Sequence, residues 1–175
     1  MQKIKYLPIL FFAMMAISAN TPRFGATYTE DELLQEFRQK LKLAAEDEKI
    51  CNDLYAKAGT IQHPKPLLKG YIGAVTIARS KHVSLFDKLS TFKKGAAILE
   101  EAVTAAPNET ELRLLRLTLQ HNLPGFLGYK DHIADDKEFI LANFSNTPPA
   151  LQGKIADYVN TSGRFTDQEK QRLRV

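Results

Sequence analysis

A chain of 175 residues with 44% hydrophobic and 25% charged side chains has the composition of a globular fold, which excludes disorder over most of its length. Trp is absent and Cys51 is the single cysteine, so no internal disulfide can form, and with nothing nearby to activate its thiol Cys51 reads as a small buried apolar residue. The formal charge of +4 shrinks once Lys3 and Lys5 are set aside: 22 basic residues then face 20 acidic ones, short of the basic stripe that a nucleic-acid binder needs.

Residues 1–19 have the three parts of a secretory signal: Lys3 and Lys5 at the start, an apolar run from Leu7 to Ile17, and the small Ser18 and Ala19 where a peptidase would cut. A spanning helix needs about 20 apolar residues, and this run is shorter and interrupted by Pro8. The expectation is cleavage near Ala19, no stable membrane span afterwards, and an exported protein, periplasmic or secreted. Residues 20–28 form a polar leader with Pro22 and Gly25, and residues 29–175 are expected to form one helical domain.

Thr29 and Glu32 have the spacing of a capping box. Leu34, Phe37, Leu41 and Ala44 follow on one helical face, and the face resumes at Cys51, Leu54, Tyr55 and Ala58 beyond the charged run Glu46–Lys49. One long bent helix or two helices meeting near Asp47 would satisfy this pattern, with Gly59 ending it. Pro66, after the rigid His63-Pro64-Lys65, suits a first helical turn.

Three helices are expected next, over Pro66–His82, Ser84–Ala106 and Glu109–His121. In the first, Gly70, Ala74 and Ala78 lie four apart. An interior Gly costs about 1 kcal/mol relative to Ala, so Gly70 and Gly73 imply close approach of a second backbone. In the second, Phe86, Leu89, Phe92, Ala96, Leu99, Val103 and Ala106 fall on one stripe, widened by Ile98, Ala102 and Ala105. That width predicts neighbours on two sides.

Leu123, Phe126, Leu127 and Tyr129 occupy a stretch with one Pro and two Gly and are too apolar for an ordinary solvent loop. They either tuck against the core or line a partner site. A helix is expected from about Asp131 to Phe144, then one from Thr147-Pro148 that carries Leu151, Ile155 and Val159 and ends at Gly163. A second capping box, Thr166 to Glu169, opens a short basic tail helix. No segment shows sustained strand alternation, so the fold class is all-α with six to eight helices.

Residues 64–121 resemble a tetratricopeptide-like helical hairpin. Gly70 or Gly73 with Tyr71 stands where that repeat puts small and aromatic residues on its first helix, and Gly95, Leu99, Ala102 and Pro107 match the small, large, small and Pro spacing of its second. The Trp-Leu opening of the repeat is missing, and the link from Lys81 to Asp87 is longer. The resemblance implies antiparallel hairpins in a right-handed TPR-like array, with a concave face for a partner polypeptide. The run ELRLLRLTLQHNLPGFLGY (111–129) is also similar to small exported bacterial helical proteins, which adds a location and no activity.

Motifs for nucleophilic, nucleotide-binding and zinc chemistry (GxSxG, GxxxxGK, GxGxxG, HExxH, CxxC) are all missing. Three constellations remain. His132 with Asp136, and Asp131 with Asp135, share helix faces at i,i+4 and could offer metal ligands with His121 as a third; against this, acidic residues in a first turn already complement the helix dipole. Arg113, Arg116 and Gln120 fall on one face opposite Leu112, Leu115 and Leu119, where they could hold a partner's carboxylate or bridge to Glu100, Glu101 or Glu109. Three glycosylation-type triplets, at Asn108, Asn143 and Asn160, carry no weight in the bacterial setting that the resemblance implies.

The leading expectation is therefore a non-catalytic exported protein that mediates protein–protein contact, as an adapter or an envelope assembly factor. It needs no cofactor and no nucleic acid, and its partner-binding candidates are Arg113, Arg116, Gln120, Phe126 and Tyr129. The alternative is a small metal-dependent hydrolase built on His121, His132 and the Asp131–Asp136 cluster.

Overall fold

The computed structural model describes residues 28–173; the expected signal (residues 1–19) and the leader up to residue 27 lie outside this range. The described residues form eight α-helices and no strand, as the all-α expectation requires: α1 (Glu30–Ala44), α2 (Glu48–Ala58), α3 (Pro66–Arg79), α4 (Lys88–Ala105), α5 (Thr110–Asn122), α6 (Ile133–Asn143), α7 (Pro149–Thr161) and α8 (Asp167–Gln171). Single 3-10 turns lie at Gly125–Leu127 and Phe144–Asn146. No helix among the described residues is long and apolar enough to cross a membrane.

Local chemistry sets the helix ends. Both capping boxes form: Thr29 and Thr166 accept from the backbone N–H three residues on, and Glu32 and Glu169 reach back to the cap. Each box satisfies two backbone donors that a helix start leaves without partners. At Asp47 the chain makes two helices instead of one bent one. The Asp47 carboxylate accepts from the Ile50 N–H at 3.0 Å and starts α2 afresh.

The close approach implied by Gly70 and Gly73 is present. A Cβ on Gly73 would lie 2.7 Å from the Leu99 backbone N and 2.8 Å from the Gly95 carbonyl, and one on Gly95 would lie 2.6 Å from the Ile77 N. Gly70 faces Leu112, Leu99 and Ala102. Rising numbers on α3 thus meet falling numbers on α4, and the two helices run antiparallel in backbone contact. His82 Nε2 lies 3.0 Å from the Ala44 carbonyl, which brings the ends of α1 and α3 together. The Cys51 thiol stands 3.9 Å from the Val75 carbonyl, so α2 starts beside the second half of α3. The helices α1, α3 and α5 therefore finish at one end of the layer, where α2 and α4 begin.

Two hydrophobic clusters follow from this arrangement. The first joins α1 to α5 around the fully buried Leu33, Phe37, Leu54, Leu68, Leu99 and Leu112; the second gathers Leu117, Ile140, Phe144, Ile155, Val159 and Phe165. α5 serves both, giving Leu112 and Leu115 to the first and Leu117 to the second. Cys51 is buried as expected, and burial pushes its thiol pKa up, away from reactivity.

The apolar stripe of α4 is only partly covered, which corrects its reading as a continuous buried face. Phe92, Leu99 and Val103 are buried, but Phe86 is 94% and Leu89 51% exposed. The helix expected from Ser84 starts only at Lys88, so Phe86 lies on the turn before it. Ile77 lies opposite Gly95 and only Ala78 and Arg79 remain of α3 beyond it, so the first turn of α4, with Leu89, extends past its neighbour.

Candidate functional site

The Arg113–Arg116 face of α5 meets α6 and α4. Arg116 is 3% exposed, and its Nε and Nη2 donate to the two oxygens of Asp136 at 2.8 and 2.7 Å while Nη1 donates to Glu100 at 2.5 Å. Asp136, fully buried, also accepts from Arg113 Nη1 at 2.9 Å. Arg113 is further held by the Pro107 carbonyl at 3.0 Å and by the Phe139 ring, 4.9 Å from its guanidinium. Burial would lower the pKa of Arg116, but the hydrogen bonds and charges of Asp136 and Glu100 outweigh it and raise the value, so the guanidinium stays charged. A planar fork between two carboxylates is the geometry that arginine fits best.

Tyr129 joins the same network. Its hydroxyl donates to Glu100 at 2.5 Å and its ring packs edge-on against Phe92 with centroids 5.9 Å apart. Burial first, and then the Glu100 carboxylate, push its pKa up. The loop divides: Leu123, Leu127 and Tyr129 pack on the core, and Phe126 is left 87% exposed. Gln120 is fully buried, and its side-chain N and O have no hydrogen-bond partner among the described residues. Its carbonyl accepts from Lys130 Nζ, which also donates to the Leu123 carbonyl at 2.7 Å.

The other side of α5 carries a second buried ionic centre. Glu111 accepts a bidentate pair from Arg38, at 2.7 and 2.5 Å, and the Tyr71 hydroxyl at 2.8 Å. Burial raises the Glu111 pKa, but the bonds from Arg38 and Tyr71 more than offset this and hold it below the usual carboxylate range. A cavity of about 120 Å³, lined by Tyr71, Glu111, Leu115, Thr118, Leu151 and Lys154, adjoins it. Nothing in the sequence marks this centre, because its partners are 73 and 40 residues apart.

The histidine and aspartate candidates are dispersed. His121 Nδ1 lies 2.7 Å from the Tyr158 hydroxyl, within a ring cluster with Phe165. Burial, followed by the charges of Arg164, Lys137 and Lys130, pulls its pKa down. His132 Nε2 is 3.9 Å from Glu100, Asp131 and Asp135 are exposed, and Asp136 is committed to the two arginines. No three His, Cys, Asp or Glu side chains come together as a metal site among the described residues.

One groove is open. It runs over the α3–α4 surface with a volume of about 520 Å³, and Lys69, Ala97, Glu100, Glu101, Thr104 and Ala105 line it. Its rim is bridged at one point by Lys69 Nζ and Glu101, 2.7 Å apart. Periodicity did not mark this surface, since Ala97, Glu101 and Thr104 lie outside the apolar stripe. Compared with known protein families, curated proteins and solved structures, the chain gives no match.

Proposed function

We propose that this is a non-catalytic exported protein that binds another polypeptide, with α3 and α4 forming a hairpin of the tetratricopeptide kind. The open groove beside α4 carries the reading. A helical layer sealed on every side by its own side chains would offer a partner nothing, whereas here small side chains floor a trough and Lys69, Glu100 and Glu101 give it polar walls. The hairpin assignment is supported by the contacts of Gly73 with Gly95 and of Gly70 with Leu99 and Ala102, the positions on which the resemblance rests.

The arginines Arg113 and Arg116 serve this surface from behind. They fix Glu100 and Asp136 and so hold α4, α5 and α6 in register, instead of meeting a partner's carboxylate themselves. Phe126 supplies an aromatic anchor of the sort that dominates interface energies. It stands three residues from Tyr129, whose hydroxyl donates to Glu100 in the groove wall.

A test fills the trough. Thr104→Trp and Ala97→Trp alter exposed positions, so helicity and melting temperature stay unchanged, while a photo-cross-linker at Glu101 loses its adduct to a discrete protein. An adduct of the same mass and yield in the filled variants removes the groove from consideration.

A further inference from the structure

We propose that the end of the molecule formed by the α3–α4 link docks on an anionic phospholipid surface. The proposal rests on a different surface from the groove and does not depend on it.

Leu85 is 79% exposed, Phe86 94% and Leu89 51%, on a segment that helical periodicity would bury. Three large apolar side chains exposed within five residues of one link are uncommon on a surface that meets only water. Leu43 joins them at 49% exposure. Its helix end is brought alongside by His82 Nε2, 3.0 Å from the Ala44 carbonyl, and by Lys81 Nζ, 3.3 Å from that of Ala45.

Charge identifies the occupant. From Lys81 to Lys94 the chain holds Lys81, Lys88, Lys93 and Lys94, no Arg, and one acid, Asp87, which accepts from the Ser84 hydroxyl at 2.6 Å. Lys88, Lys93 and Lys94 are exposed and form no ion pair among the described residues. The other acids at this end are Glu46 and Asp47 on the α1–α2 link, where Asp47 is occupied in capping α2, and Glu48 in the first turn of α2. Aromatic and leucine side chains ringed by lysines match a bilayer boundary, where apolar groups enter the acyl region and ammonium groups meet phosphates. Protein interfaces favour Arg and are depleted in Lys. A projecting end also suits a bilayer, which yields around it, whereas a folded partner would need a matching pocket.

The probe is co-sedimentation with phosphatidylglycerol vesicles and with phosphatidylcholine vesicles, using protein processed as the cell makes it. Comparing variants in one background cancels contributions from elsewhere in the chain. Wild type binds phosphatidylglycerol, releases in high salt, and binds phosphatidylcholine weakly. Leu85→Ser/Phe86→Ser weakens binding by at least about tenfold. Lys88→Gln/Lys93→Gln/Lys94→Gln weakens it by on the order of a hundredfold, from the attraction each lysine has for an anionic leaflet. Thr104→Trp leaves it unchanged. All five positions changed in the weakening variants are exposed, so circular dichroism should match wild type and exclude misfolding as the cause. No binding to phosphatidylglycerol overturns the proposal, as does equal binding by wild type and both weakened variants. So does a dimer by light scattering that Leu85→Ser/Phe86→Ser abolishes in protein that ignores vesicles, because the end would then cover a second copy.

Discussion

The two ends of α4 obey the same helical period and meet opposite fates. From Gly95 onward the helix is pressed against α3 so closely that neither Gly73 nor Gly95 has room for a methyl group. Before Phe92 the same spacing continues into Leu89 and Phe86, and the described residues leave the first 51% and the second 94% exposed. Periodicity records which face a helix would bury. Whether it is buried depends on how far the neighbour extends, and α3 stops at Arg79.

The sharpest way to break this comparison is at the sealed end. In Gly95→Val the new side chain would meet backbone at 2.6 and 2.8 Å, atoms that cannot move aside without parting the hairpin. Among single substitutions it should cost the most, above about 4 kcal/mol, and urea titration should show a chain that is largely unfolded in buffer. A variant with wild-type stability would mean that α3 and α4 are not in backbone contact.

The buried arginine fork comes next. Asp136→Ala leaves Arg116 charged and 3% exposed with one partner fewer, and Arg113 also loses its carboxylate. Removing one partner of a buried pair costs about 3–5 kcal/mol. A double variant Arg116→Met/Asp136→Leu should recover much of that loss, because the uncompensated charge is gone. If the single variant melts like wild type, the fork is not closed in solution.

These two centres also mark where sequence reading stops. The capping boxes, the glycine approach and the all-α class follow from residues a few positions apart, whose physics is local, while the pattern around Asp47 left one bent helix or two equally open. The Arg38–Glu111 and Arg116–Asp136 pairs join residues 73 and 20 positions apart, and no period or spacing selects one carboxylate out of many. Asp136 shows the difficulty well: its place in the first turn of α6 suggested a dipole complement or a metal ligand, and only the packing of α5 on α6 reveals two guanidinium partners. The groove was illegible for a similar reason, since it consists of what neighbouring helices leave uncovered.

The second ionic centre gives a pH-dependent effect of intermediate size. Glu111 has a depressed folded pKa, so its contribution is fully present above the unfolded glutamate value of about 4.3 and is lost as pH falls through the folded value. At neutral pH Glu111→Gln should cost about 1.5–3 kcal/mol, the range for hydrogen bonds to a charged group. Urea unfolding from pH 7 downward should show wild type converging on the variant below that glutamate value. A gap that stays constant with pH would assign the loss to shape instead of charge.

The smallest effect tests the open end most directly, because it pairs two phenylalanines of one stripe. Phe92 is 4% exposed and packs edge-on with Tyr129, so Phe92→Ala should cost about 3–5 kcal/mol through transfer and cavity terms. Phe86, six residues earlier and 94% exposed, has almost no contacts to lose, and Phe86→Ala should change stability by less than about 0.5 kcal/mol. Equal losses would show that the turn leading into α4 is covered in solution, by the chain itself or by a second copy, and would withdraw the surface on which membrane docking depends. A large loss at Phe92 with none at Phe86 leaves a phenylalanine that folding does not require, and the reason for its presence must then be sought outside the fold.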